Sequence, residues 1–113
     1  MPQFHLMLKF MVVLYRRPDF TPEQFRDFFR NVHGSLAEKI PGLRRYKQNF
    51  TLPDPKRQHP GWDAIIELYF DDRESMENAW RTPEGQAATQ DLANCVDLSR
   101  TTWSVVEEIS IRS

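Results

Sequence analysis

The amino-acid sequence predicts an α+β fold in which four strands and two helices follow one another in the order β-α-β-β-α-β. Two kinds of pattern predict it. In several segments apolar side chains occupy every second position, as in a β-strand with one buried face. In two others they recur three and four residues apart after strong helix-start signals, as in an amphipathic helix. The chain has 113 residues, and we expect residues 1–113 to form a single domain.

The first predicted strand spans Phe4–Tyr15. Its even-numbered positions form a wholly apolar face, made of Leu6, Leu8, Phe10, Val12 and Leu14. Its odd-numbered positions mix apolar residues with His5 and Lys9. We therefore expect this second face to be partly buried and to carry a few polar groups.

The first predicted helix begins with a full set of local signals. Thr21 suits the N-cap, Pro22 suits the first helical position, and Gln24 completes a capping box. One apolar stripe follows, made of Phe25, Phe28, Phe29, Val32 and Leu36. His33 is expected at the margin of this stripe, neither fully buried nor fully solvated, and Pro41 ends the helix.

The remaining elements follow in chain order. Two strands are predicted over Leu43–Phe50 and Trp62–Phe70. The second predicted helix begins at Asp71 or Asp72, restarts at Thr82-Pro83 and continues to Val96. The last predicted strand spans about Thr102–Ile111. Cys95 falls on this second helix and is expected to be a small buried apolar residue.

This order of elements is the split βαβ, or ferredoxin-like, arrangement: a four-stranded antiparallel sheet with both helices on one face. The helices leave the other face bare, yet three strands carry apolar side chains there. Because so much exposed apolar surface favours association, the sequence predicts a homodimer in which two sheets pack face to face. We expect a cavity for a small ligand between the two sheets.

The composition excludes several other classes of protein. Fifteen basic and sixteen acidic residues give a net charge of −1, so we expect no nucleic-acid partner. The apolar run Phe4–Tyr15 is too short and too polar to span a bilayer and lacks the features of a signal peptide. The single cysteine, Cys95, cannot form an intrachain disulfide. We expect a soluble cytoplasmic protein with no membrane partner.

Two stretches of the chain also carry a family resemblance. The first contains Arg17-Pro18, Thr21-Pro22-Glu23-Gln24-Phe25-Arg26, His33-Gly34-Ser35-Leu36 and Ile40-Pro41-Gly42-Leu43-Arg44-Arg45-Tyr46. The second is Trp62–Phe70, with Ala64 where glycine is usual. Together they resemble the EthD family of the dimeric α/β-barrel superfamily, over about residues 8 to 110.

The resemblance implies a homodimer with a barrel-like cavity in each subunit. Similar proteins include ones tied to ether degradation, muconolactone isomerases and methylisomerases, and polyketide cyclases or dehydratases. In the methylisomerase-like members a histidine at the place of His33 is a proposed proton shuttle, and His33 alone receives a role from the resemblance.

Three residues are candidate catalytic groups: His33, Glu67 and Tyr69. An imidazole can both take and give a proton near neutral pH, so His33 is the first choice for a general acid or base. Glu67 projects from the mixed face of its strand, where desolvation would raise its pKa. The alternative is that Glu67 pairs with Lys9 or Arg44 inside the dimer interface.

Four residues are candidate substrate-binding groups: Lys9, Met11, Tyr46 and Asp63. Lys9 could bind a carboxylate or an enolate, or extend to the barrel mouth. Tyr46, like Tyr69, could donate a hydrogen bond to a ligand oxygen or pack in the interface. His5 and His59 are expected at the surface. No metal-ligand spacing is present, and no cofactor is expected, although haem ligation through His33 stays open.

These candidates predict a cofactor-independent lyase or isomerase, of the cyclase, dehydratase or lactone isomerase type. Its substrate would be a small conjugated carbonyl compound, such as a lactone or an aromatic polyketide intermediate. Two alternatives remain open: a cofactor-free monooxygenase acting on a phenol or quinol, and a non-catalytic dimer that binds a small ligand.

Overall fold

A computed structural model describes residues 7–57 and 61–112. The strands are β1 (Leu8–Leu14), β2 (Arg45–Phe50), β3 (Ala64–Phe70) and β4 (Thr102–Val106). The helical elements are α1 (Pro22–Phe28), a π-turn (Phe29–His33), α2 (Gly34–Ala37), α3 (Arg73–Arg81), α4 (Pro83–Asp91) and a 3₁₀ turn (Leu92–Asn94). The predicted order of elements is confirmed, with each predicted helix divided into segments.

The four strands form one antiparallel sheet in the order β2-β3-β1-β4. In the register of β1 and β3, Val12 lies opposite Ile66, and Met11 lies opposite Glu67. Because side chains alternate along a strand, Val12 and Ile66 share the face that packs against the helices. Met11 and Glu67 share the opposite face, which we call the outer face. The ferredoxin-like fold is therefore confirmed.

The hydrophobic core lies between the sheet and the helices. Its largest fully buried side chains are Phe25, Phe29, Phe70, Leu14 and Cys95. Burying one side chain of the size of Leu or Phe contributes about 1.5–3 kcal/mol to folding. The helical layer is thus held to one face of the sheet by apolar packing.

The start of α1 follows its sequence signals. Thr21 Oγ1 accepts the backbone N–H of Gln24 at 3.1 Å, and Gln24 Oε1 accepts the backbone N–H of Thr21 at 2.9 Å. Pro22 stands at the first helical position, where no backbone N–H is needed. The predicted capping box is confirmed.

The π-turn changes which side chains of the first helical layer face the core. It is closed by the backbone N–H of Gly34, which donates to the carbonyl of Phe29, five residues back. The extra residue in this turn rotates the positions around it by roughly 100° relative to a regular α-helix. Val32, predicted in the apolar stripe, is 43% exposed, whereas His33 is only 6% exposed. The expectation of a half-buried His33 was wrong for this reason.

The second helix is shorter than predicted. Cys95 is buried, but it follows the 3₁₀ turn instead of lying on a helix, as does Val96. The carbonyl of Cys95 accepts the backbone N–H of Arg17 at 2.9 Å, and the N–H of Asp97 donates to the carbonyl of Tyr15 at 2.7 Å. These bonds to the chain after β1 replace the helical ones.

The strand bounds differ from the predicted ones at several ends. Strand β4 stops at Val106 instead of continuing to Ile111. The start of the first predicted strand, with His5, lies outside the described residues, and so does His59. Of the helices in the described part of the chain, none combines the length and apolarity needed to cross a membrane.

Candidate functional site

An apolar cavity of about 370 Å³ lies between the sheet and the helices. The residues that line it are Phe10, Val12, Leu14, Phe29, His33, Ala37, Ile40, Tyr46, Ile66, Leu68, Trp80, Gln86, Ala88, Thr89, Gln90, Leu92 and Trp103. A cavity of this size suits a small organic ligand. Trp103, on the edge strand β4, is 55% exposed, so the cavity opens to solvent at that edge.

The predicted cavity between the sheets of two subunits stays a prediction, because it needs a second copy of the chain. The observed cavity lies within one chain, on the helix-facing side of the sheet. Ala37 of α2 and Ala88 of α4 face it, and side chains this small leave space that larger ones would fill.

His33 and Asp91 form a buried pair at the wall of the cavity. His33 Nδ1 lies 3.0 Å from Asp91 Oδ2, and the side chains are only 7% and 9% exposed. A carboxylate oxygen accepts, so Nδ1 carries the hydrogen and Nε2 is left as a proton acceptor. The second oxygen of Asp91 accepts a hydrogen bond from Asn94 at 3.0 Å. Both ends of the Asp91 carboxylate are therefore fixed.

The imidazole ring is also held by aromatic packing. It stacks on the Phe29 ring with the ring centroids 4.5 Å apart. Burial lowers the pKa of His33 below its ordinary value, and the opposing effect of Asp91 does not restore it. Near neutral pH the ring is therefore neutral and able to accept a proton.

Tyr46 is the second polar group that the sequence predicted and that reaches the cavity. Its hydroxyl accepts a hydrogen bond from Gln48 Nε2 at 2.9 Å. Burial raises the pKa of Tyr46 to about 12, although the Gln48 contact acts in the opposite direction. The hydroxyl therefore stays protonated at neutral pH and can donate to an oxygen in the cavity.

Lys9, Glu67 and Tyr69 lie together on the outer face and do not line this cavity. Lys9 Nζ contacts Glu67 at 2.7 Å and Glu108 at 2.5 Å. The Tyr69 hydroxyl donates to Glu108 at 3.1 Å, and the ring centroid of Tyr69 lies 5.1 Å from Lys9 Nζ. Four side chains thus form one polar cluster on the opposite side of the sheet from His33.

The expected rise in the pKa of Glu67 was wrong. The hydrogen bond from Lys9 lowers it, followed by one from Asn49 at 3.0 Å, and these outweigh burial. The alternative pairing with Lys9 is the one observed, whereas Arg44 binds Asp71 at 2.7 Å. Burial lowers the pKa of Lys9, but the hydrogen bonds that its ammonium group donates to the carboxylates of Glu108 and Glu67 raise it overall.

The remaining two candidates are also away from the cavity. Met11 is on the outer face, between Glu67 of β3 and Ser104 of β4. Asp63 precedes β3 and accepts the backbone N–H of Arg16 at 2.9 Å, with the guanidinium Nε of the same residue at 3.3 Å. Its carboxylate therefore fixes the chain that leaves β1.

Sequence reasoning missed Asp91, the partner of His33. A signal for it exists, because Ala88, Asp91 and Cys95 recur at helical spacing and are all buried. A carboxylate on an apolar stripe needs a buried partner. In the described part of the chain, no group of three or more His, Cys, Asp or Glu side chains is arranged to hold a metal ion.

Comparisons with known proteins agree with this fold. The chain is 27% identical over 84 residues to an uncharacterised 11.0 kDa protein of the thcB-thcC intergenic region of Rhodococcus erythropolis. The aligned region covers 74% of this chain and 80% of that protein. The chain is also 32% identical to an ethyl tert-butyl ether d (EthD) family protein from Bacillus halodurans C-125, whose crystal structure is known. The two structures match with a TM-score of 0.77 over 92% of this chain and 100% of that one.

A third relative shares the fold at lower identity. It is a dimeric protein of unknown function with a ferredoxin-like fold from Bacteroides fragilis NCTC 9343. It is 20% identical, with a TM-score of 0.67 and coverage of 90% of this chain and 96% of that one. The model of the EthD domain matches residues 17–99, well over half of the chain. The chain therefore belongs to the EthD domain family.

Proposed function

We propose that this EthD-family protein is a cofactor-independent lyase or isomerase that moves a proton at a carbon next to a carbonyl group. The observation that carries the proposal is the buried His33–Asp91 pair at the wall of an apolar cavity of about 370 Å³. A neutral imidazole fixed by a carboxylate is a competent general base. His33 keeps its predicted role, and Tyr46 takes the role of oxyanion donor.

The first step is proton removal from the substrate. Nε2 of His33 takes a proton from the carbon next to the carbonyl, and the electron pair of the broken C–H bond moves to the carbonyl oxygen. The resulting imidazolium is stabilised by Asp91, 3.0 Å from Nδ1. The enolate oxygen receives a hydrogen bond from the hydroxyl of Tyr46.

The second step returns the proton from Nε2. In an isomerase the proton goes to another carbon of the conjugated system. In a dehydratase it goes to a departing hydroxyl group, which leaves as water. The largely apolar wall favours a flat conjugated body, such as a lactone or an aromatic polyketide intermediate.

Deuterium exchange tests this proposal without knowledge of the natural substrate. A β,γ-unsaturated lactone is incubated with the protein in D₂O, and loss of the α-hydrogen signal is followed by proton NMR. We expect the wild type to accelerate exchange and His33→Gln to lower its rate by about 100-fold or more, since general base catalysis contributes about that much.

The matched control is Glu23→Gln, which changes an exposed side chain at the start of α1. It is expected to exchange at the wild-type rate. Exchange in a folded His33→Gln variant at the wild-type rate would remove His33 from the mechanism.

A non-catalytic ligand-binding protein is the second candidate, because nearly all of the cavity wall is apolar. This alternative predicts tight binding of the lactone with no deuterium exchange and no product in mass spectrometry. It also predicts equal lactone affinity in the wild type and His33→Gln.

We further propose that two copies of the chain associate through the outer face. Half-buried Met11, Val13 and Ile65 lie there in a single chain, and the related protein from Bacteroides fragilis is dimeric. We also propose that residues 1–113 act as one domain in the cytoplasm. The buried free thiol of Cys95 is in keeping with a reducing compartment.

A further inference from the structure

Gln48 lies next to Tyr46 on the helix-facing side of β2, and the mechanism above does not use it. Its amide Nε2 is 2.9 Å from Tyr46 Oη and 3.0 Å from the carbonyl oxygen of Phe29. A backbone carbonyl oxygen can only accept, so it requires the NH₂ group of the amide on its side. Phe29 thus fixes the orientation of the amide, and Tyr46 receives an N–H.

This contact determines what the hydroxyl of Tyr46 can do. A tyrosine hydroxyl has one hydrogen to donate and can also accept. Because Gln48 occupies an acceptor position, the hydrogen of the hydroxyl points elsewhere. Within residues 7–57 and 61–112 no acceptor for it is found, and Tyr46 lies between the apolar cavity and a second, polar pocket that Gln48 also lines. The hydrogen is therefore available to an oxygen of a bound ligand.

The same amide contacts the turn that carries His33. The carbonyl of Phe29 accepts both Gln48 Nε2 and the backbone N–H of Gly34 that closes the π-turn. The amide also passes close to the backbone of this turn, because a Cβ at Gly34 would lie 3.2 Å from Gln48 Nε2. One side chain thus links the oxyanion donor to the element that holds the base.

We propose that Gln48 is a positioning residue, which directs the hydroxyl hydrogen of Tyr46 into the cavity and holds the π-turn against β2. Its part in catalysis rests on the proposed function. It also specifies the ligand: the oxygen that gains negative charge binds beside Tyr46, with the apolar body between the sheet and α4.

The test compares two aromatic probes of similar shape. The first is 4-nitrophenolate, which presents an anionic oxygen, and the second is nitrobenzene, which lacks that oxygen. In Gln48→Met the side chain keeps its length but has no donor. We expect Gln48→Met and Tyr46→Phe each to weaken 4-nitrophenolate binding by about tenfold and nitrobenzene binding by less than about twofold.

Asn49→Leu is the matched control. The Asn49 amide also donates to a backbone carbonyl, that of Ile65, and to a side chain, that of Glu67, both at 3.0 Å, but it lies on the outer face. It is expected to leave both affinities unchanged. Should Gln48→Met fail to fold, Gln48→Leu replaces it, since it also removes the donor without placing a second acceptor against the carbonyl of Phe29.

Several outcomes would overturn the inference. An equal loss for both probes would mean that Gln48 is merely structural. Unchanged 4-nitrophenolate affinity, no 4-nitrophenolate binding by the wild type, or an equal loss in Asn49→Leu would each remove the assigned role. The proposed function is tested separately, because a wild type that binds 4-nitrophenolate selectively but exchanges no deuterium contradicts catalysis and leaves the positioning of Tyr46 supported.

Discussion

The burial of His33 affects stability as well as chemistry. Burial lowers its pKa in the folded chain despite Asp91, whereas in the unfolded chain it titrates near its ordinary value of 6.5. Between these two values the unfolded chain binds a proton that the folded chain does not. The stabilisation of the folded chain that comes from keeping His33 neutral is therefore fully present above about pH 6.5, and it is lost as the pH falls through this window.

We expect the free energy of unfolding to fall more steeply with decreasing pH in the wild type than in His33→Gln. Each tenfold difference in proton affinity between the folded and unfolded chains corresponds to about 1.4 kcal/mol. Urea denaturation at a series of values between about pH 8 and pH 5 measures the difference. If both proteins show the same pH dependence, His33 is not the group that titrates.

The elements differ in how far the sequence determines them. Thr21 and Gln24 specify the start of α1 through bonds within four residues, and the prediction there is confirmed. The π-turn was not predicted, because its one extra residue leaves no local signature. It exposes Val32 and buries His33, which a regular helical period does not predict.

Sequence reasoning also predicted only part of the candidate site, because local patterns do not show which distant residues come into contact. His33 and Tyr46 were found from residue type and position, and both line the cavity. Asp91 is 58 residues from His33 in sequence, so no spacing links them, and only the packing of α4 against the first helical layer does. The prediction that Lys9, Glu67 and Tyr69 share one face of the sheet is confirmed. That face is the outer one, whereas the cavity lies on the helix-facing side.

Two helical glycines allow a prediction about how the elements are joined. A Cβ at Gly85, in the first turn of α4, would lie 2.0 Å from the carbonyl oxygen of Ala79 in α3. At Gly34 the nearest atom is the end of the Gln48 side chain, at 3.2 Å, which can move. Alanine also favours a helix over glycine by about 1 kcal/mol. We expect Gly85→Ala to lower the free energy of unfolding by about 2 kcal/mol or more, and Gly34→Ala by less than about 1 kcal/mol.

Chemical denaturation of the two variants measures this contrast, and each serves as the control for the other. Gly85→Ala should also displace α4 and with it Asp91, so deuterium exchange should slow in that variant. Equal stability of the two variants would mean that α3 and α4 are not packed as closely as described.

At the scale of the whole molecule, the cavity and the proposed association surface lie on opposite faces of the sheet. The helix-facing side carries the cavity and its polar groups, and the outer face carries half-buried apolar side chains beside the ion pair of Lys9 and Glu67. Because the two sets of residues alternate along the same strands, association can be disrupted without altering the cavity wall. This separation makes the proposed dimer testable independently of the chemistry.

We expect the wild type to sediment as a dimer at micromolar concentration and Ile65→Lys to sediment as a monomer. Ile65 lies opposite Val13 on the outer face, and a two-fold interface would bury two unpaired ammonium groups in the variant. Burying such charges costs several kcal/mol, enough to weaken association by about 100-fold or more. Ser35→Lys, on the exposed side of α2, adds the same charge and should remain dimeric. A monomeric wild type, or a dimer that persists in Ile65→Lys, would exclude the outer face as the interface.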